Sequence, residues 1–249
     1  MIRNSALNFI TPVQESLELL SKQWKLPSEI SELHLGLRDD VADHEIKIGD
    51  IIFHIPKLLK LNLFVLWDCL WPDCHNCCIR QDRIPLTTDD IKILSKKLGY
   101  TSKIDFIKNE TLVSNWSHKE PFGGMNTMRT QIALKRNRDE IEDVDEGNKI
   151  SCRFLGDKGC MIHLDKPGVC SVYPFASYIE YDTSVNSRNG NPIIHALYQL
   201  TGDCPGFYLG KSLDDMLPIL NQYSKKIYDY NNSFYRTKRE GYCVISSID

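Results

Sequence analysis

Apolar positions recur every three to four residues near the amino terminus, at Leu7, Ile10, Val13, Leu17, Leu20 and Trp24, which predicts an amphipathic helix over 5–24, broken at Pro27. The period then shortens to two. ELHLGL (32–37) alternates as a strand would, and HEIKIGDIIFHI (44–55) predicts two short strands turning at Gly49 and Asp50, with Pro56 ending the second. Helical spacing returns in PLTTDDIKILSKKLGY (85–100), where Thr87 or Thr88 can cap the first turn, Asp89 and Asp90 face its positive end, and Gly99 stops it. A second helix is predicted over 103–114, with a loop at Gly123 and Gly124. Further on, 176–182 and 193–200 read as strands joined by the turn-rich SVNSRNGNP, and 212–234 as a closing helix with Pro218 as its bend point. The mixed order predicts an α+β fold, with 1–60 as an N-terminal helix and small sheet and 61–249 as the main domain.

Composition narrows the function classes. At 249 residues and 42% hydrophobic, the chain can bury a core without crosslinks. Its 30 Lys and Arg against 33 Asp and Glu leave a formal charge of -3, which gives no basic field for nucleic acid or an anionic membrane surface. A protein or a small molecule is left as the partner class. The first residues lack the continuous apolar core and cleavage site of a secretory signal. LLKLNLFVLW (58–67) is broken by Lys60 and Asn62 and is shorter than the roughly 20 apolar residues a bilayer requires. A cytoplasmic protein is expected. RDEIEDVDE (138–146) reads as a solvated acidic loop, since it lacks the ligand spacing and turning glycine of a calcium loop.

Nine cysteines change the picture, because a reducing cytosol keeps thiols free and clustered cysteines there point to metal or redox chemistry. CLWPDCHNCC holds Cys69, Cys74, Cys77 and Cys78; CRFLGDKGCMIHLDKPGVCSVYPF (152–175) holds Cys152, Cys160 and Cys170; Cys204 follows in DCPGFYLG. Cys243 stands alone and reads as a packing thiol. Cys74 and Cys77, two residues apart, form the short chelate that a tight turn can close around one ion, with backbone amides aimed at the sulfurs. Neighbouring side chains such as Cys77 and Cys78 are expected to point apart, which implies two centres or one spare sulfur. His75 and His163 could replace a sulfur, although an ordinary surface or core role is the stronger reading for each.

The order CxxCC, a long spacer, CxFLxxxGCxIHxxKPxxCxxYPF and CPGxxxG resembles the YkgJ-like cysteine-cluster (CxxCxxCC) family, described as zinc- or iron-chelating. The resemblance covers roughly residues 66–215. It implies metal ligands at Cys69, Cys74, Cys77, Cys78, Cys152, Cys160, Cys170 and Cys204, with four residues rather than the family's two between Cys69 and Cys74. Lys166 and Pro167 stand where the family commonly has Arg and Pro. The cysteine pattern is also similar to that of flagellin lysine N-methylases, which implies S-adenosylmethionine chemistry, but no glycine-rich nucleotide loop supports it.

The leading expectation is therefore a metal-binding α+β protein whose cysteine-rich loops converge on one or two centres of zinc or iron, a [4Fe-4S] cluster included. One alternative is an iron-dependent redox or methyl-transfer enzyme acting on protein lysine. Another is a thiol redox protein switching CxxC between dithiol and disulfide. Tyr173, Phe175, Tyr178, Tyr198 and Phe207 are expected to shield the centre from water, and Lys166 to offset thiolate charge, while Arg153 could do the same or simply be solvated.

Overall fold

The computed structural model describes residues 26–79, 83–119, 126–136, 151–181, 192–200 and 204–247. The helix expected over 5–24, the loop at Gly123 and Gly124, the acidic run 138–146 and the link 182–191 lie outside the described residues. In chain order the elements are α1 (Ser28–His34), β1 (Val41–Ile48), β2 (Ile51–Leu58), β3 (Leu63–Trp67), α2 (Asn76–Ile79), α3 (Thr88–Lys97), α4 (Lys103–Glu110), β4 (Thr111–Lys119), β5 (Asn126–Leu134), β6 (Leu155–Gly156) and β7 (Gly159–Cys160). A 3-10 turn (His163–Asp165), α5 (Gly168–Val172), β8 (Phe175–Tyr181), β9 (Pro192–Tyr198), β10 (Phe207–Gly210), α6 (Met216–Arg239) and β11 (Cys243–Ser247) complete them. The protein is α+β. None of the described helices is long and apolar enough to cross a membrane. The chain divides into two compact units, Met1–Asn76 with Pro174–Lys225, and Cys77–Tyr173 with Lys226–Asp249.

The first unit is built on a six-stranded sheet in which β2 is the hub. β1 runs antiparallel along all eight of its residues, β9 pairs in parallel with Ile51–His54, and β3 pairs antiparallel with Lys57 and Leu58. β10 joins β3, and β8 joins β9. The β1–β2 turn falls at Gly49 and Asp50 as expected, with Gly49 at φ 61, a conformation that glycine adopts without a Cβ clash. Pro56 does not end β2. It sits between the residues paired to β9 and those paired to β3, so its missing N–H costs no ladder bond on that edge. Phe53, Ile55, Val65, Leu66, Ala196 and Phe207 are buried, and Phe175 stacks on Tyr198 with ring centroids 5.0 Å apart.

ELHLGL is not a strand. Residues 28–34 are helical after Pro27, and the buried apolar residues are Leu26 and Ile30, four apart, so helical spacing outweighs the alternating leucines. Arg38 then grips Asp40 with two nitrogens, at 2.9 and 2.8 Å, and reaches Glu32 of α1 at 3.3 Å. The Asp40 carboxylate also accepts from the Lys60 amide at 3.2 Å.

The second unit holds a three-stranded antiparallel sheet, β11-β5-β4, and the small β6–β7 hairpin. α3 starts as its sequence predicts, with Thr87 as cap and a reciprocal capping box to Asp90. The helix expected over 103–114 stops at Glu110, and Thr111 opens β4, which pairs with β5 along its whole length. Neither strand was legible in the sequence pattern. α6 begins at Met216, so Pro218 lies in its first turn, where an N–H has no partner inside the helix and no break is needed. The core gathers Ile84, Leu86, Ile91, Leu94, Phe106, Leu134, Cys152, Phe154 and Ile162.

The Arg38 pair generates a pH prediction. Hydrogen bonding by Arg38 lowers the Asp40 carboxyl from 3.8 to about 2. A lowered folded-state value stabilises the fold above the unfolded value and ceases to do so as pH falls through the folded one. Asp40→Asn should therefore be less stable than wild type at neutral pH, and the two urea midpoints should converge between pH 4 and pH 2 (~2 units, the span of the shift).

Candidate functional site

Five of the eight expected ligands lie in the second unit. Cys77 and Cys78 sit on the one-turn helix α2, Cys160 ends β7, and Cys170 lies in α5. Cys152 precedes the hairpin, and its amide donates to the Cys78 carbonyl at 2.8 Å, which binds the two cysteine segments together. Cys152 belongs to the apolar core, and Cys78, Cys160 and Cys170 pack against the same core. Cys77 is exposed. No disulfide joins any of the nine cysteines.

The electrostatics of this group are mutual. A side-chain hydrogen bond with Cys77, then burial, push the Cys78 thiol up, and Cys160 and Cys170 add to the push. Adjacent side chains on a helix are about 100° apart, so Cys77 and Cys78 leave α2 in different directions, as expected, while the Cys77 thiol still acts on Cys78. Burial raises Cys152, Cys160 and Cys170 as well. Opposing it, the Phe154 amide bonds to the sulfur of Cys152, and the Ile162 amide to that of Cys160. In both, the donor is two residues beyond the cysteine. Such bonds favour the thiolate over the thiol. Lys166 draws Cys160 and Cys170 down, and Arg153 draws Cys152 down while contacting Glu110 at 3.0 Å, in line with the expected charge offset.

Asp90 holds the last of these loops in place. Its carboxylate accepts from the Thr87 amide and hydroxyl, each at 2.8 Å, and from the Gly168 amide at the start of α5 at 2.8 Å. Burial nevertheless pushes its carboxyl up, outweighing those bonds. On the other side, a Cβ at Gly168 would come within 2.7 Å of the Tyr230 ring. The loop carrying Cys170 is thus fitted between a buried acceptor and an aromatic wall. The sequence identified Asp90 only as a helix-start residue; nothing local signals its second bond.

Cys69, Cys74 and Cys204 lie in the first unit. Cys69 is exposed, and the amides of Asp73 and Cys74 both turn back to the Leu70 carbonyl at 2.8 and 3.0 Å. Cys204 accepts from Trp67 Nε1 at 3.4 Å. The glycines of CPGFYLG let β10 lie close against β3, since a Cβ at Gly206 would fall 2.2 Å from the Asp68 carbonyl oxygen and one at Gly210 2.3 Å from Leu66 Cδ1. His75 tilts against Trp71 with centroids 5.3 Å apart, and burial and the charges of Lys166 and Lys226 lower His163. Phe175, Tyr198 and Phe207 pack on one another in the first unit, and Tyr178 lies on His195. They contribute to the packing of that sheet.

The donor chemistry suits zinc or iron, since thiolates serve both and amide bonds to sulfur support the charged form. Among the described residues, no group of three or more His, Cys, Asp or Glu side chains is arranged to hold one ion. Residues 68–189 match the family model CxxCxxCC, whose description is "Putative zinc- or iron-chelating domain". This stretch of the chain is therefore similar to the CxxCxxCC family, whose description supports metal binding. No curated protein and no solved structure matches the chain.

Gly168→Ala should displace the Cys170 loop, because the new methyl group meets the Tyr230 ring. Asp90→Ala removes the shared acceptor and strands buried amides. Each is expected to lower stability by about 1–3 kcal/mol in urea unfolding; an unchanged midpoint for both would contradict this account of the loop.

Proposed function

We propose that the second unit binds zinc or iron through thiolates drawn from Cys77, Cys78, Cys152, Cys160 and Cys170. The observation that carries the reading is the packing of Cys78, Cys152, Cys160 and Cys170 on one core, with the Cys152 amide bonded to the Cys78 carbonyl at 2.8 Å and amide bonding to the sulfurs of Cys152 and Cys160 beside it. A packing thiol gains little from such a bond, whereas a metal-bound thiolate uses it to hold its charge. The family description supports the same chemistry. Zinc would tie the loops of this unit together, and iron, alone or as an iron-sulfur cluster, would add electron transfer.

A metal held by thiolates from several loops would tie those loops together, so metal affinity becomes part of folding stability. Cys69, Cys74 and Cys204 enter the ligand set through the motif alone. Cys204→Ala separates the two sets: metal is lost if all eight thiols take part and kept if the five suffice.

Anaerobic purification followed by elemental analysis provides the test. Wild-type protein should carry zinc or iron, with a brown colour and acid-labile sulfide if a cluster is present. Cys77→Ala should lose most of it, while Cys243→Ala, a buried residue of β11, should keep it at a stability cost of about 1 kcal/mol. Equal metal content in both variants, or a fully folded wild type without metal, would overturn the proposal.

A further inference from the structure

A second cluster of titratable groups lies on one face of the six-stranded sheet. Alternate residues of a strand share a face, and the register places Asp43 and Glu45 of β1, His54 of β2, His195 of β9, and Tyr178 and Glu180 of β8 on the same side. Glu45 stands opposite His54, Ile52 opposite His195, and His195 opposite Tyr178. Among the described residues of these strands, Lys47, opposite Ile52, is the basic group on that face.

His54 Nε2 and His195 Nδ1 are hydrogen-bonded at 2.9 Å. Their outer nitrogens face acids. His54 Nδ1 is 3.8 Å from Asp43 and 3.9 Å from Glu45. His195 Nε2 is 2.9 Å from Glu180, and this close contact is not aligned as a hydrogen bond, so its hold is electrostatic. The two histidine side chains are only 11% and 10% exposed, and the Tyr178 ring lies flat on His195 with centroids 4.8 Å apart.

This arrangement accommodates one charge state best. Carboxylates accept hydrogen bonds and cannot donate them, so each outer nitrogen is favoured as N–H, while the inner bond needs one proton between two nitrogens. The pair then carries a single positive charge. A further proton would set two N–H groups head to head, and removing one would either leave a bare nitrogen against a carboxylate or break the inner bond.

We propose that His54 and His195 form a proton-binding clasp across the β2–β9 seam, closed while the pair holds one positive charge and loosened when the second imidazole is protonated. The seam is the parallel pairing of Ile51–His54 with Ile194–Leu197. A second proton would set two N–H groups head to head across the 2.9 Å bond and so open the clasp. Histidine ordinarily changes charge between about pH 5 and pH 8, within the cellular range.

Imidazole 15N NMR titration of the full-length protein tests the clasp. Two linked steps are expected in the wild type, against the single step that remains in His54→Gln or His195→Gln. Amide exchange at residues 194–197 should quicken in acid in the wild type and lose that dependence in His54→Gln. Two independent one-step curves with a common midpoint in the wild type would overturn the proposal, whether or not either variant folds.

Discussion

Pairing along β2 is the constraint on which the larger sheet depends. Its parallel bonds to β9 join residues more than a hundred positions apart, and β8 reaches the sheet only through β9. Closing so long a loop costs chain entropy, but that cost grows only with the logarithm of length. Burial of Ile51, Phe53 and Ile55 on one face of β2 offsets it, at roughly 1.5–3 kcal/mol for each side chain removed from water. The opposite face receives the histidine pair as a consequence of the same register, since any slip by one residue would turn His54 into the core.

In the second unit the comparable role falls to one carboxylate. A buried charge is costly unless hydrogen-bonded, and Asp90 obtains donors from the helix it starts and from the loop that carries Cys170. One carboxylate therefore serves helix capping and thiol placement together. The cysteines gather on an apolar core, which raises their thiols, while amides and basic side chains lower them again. That opposition is what a thiolate site requires: a dry surrounding that protects the sulfur, with enough local positive potential to let it ionise.

What was legible in the sequence followed locality. The turn at Gly49 and Asp50 and the capped start of α3 depend on residues within four positions, and both formed as read. ELHLGL failed because three alternating leucines satisfy a strand pattern without any face to bury them, whereas Leu26 and Ile30 found a core. The run after Lys103 was read as helix too far, since the pairing that makes Thr111–Lys119 a strand is supplied by β5. Cysteine order marked the thiol-rich stretch plainly, yet the bond from the Cys152 amide to the Cys78 carbonyl and the mutual packing of Phe175, Tyr198 and Phe207 depend on partners that spacing does not name.

By itself the sequence determined the α+β class, the capped helix, the β1–β2 hairpin and the chemical character of the site, because propensities, caps and sulfur chemistry are properties of a residue and its near neighbours. Tertiary structure alone decided which thiols share a core, which carboxylate holds their loop and which two histidines meet. These are contacts between residues far apart in the chain, fixed by strand register and by the need to satisfy buried polar groups, and neither is written in local composition.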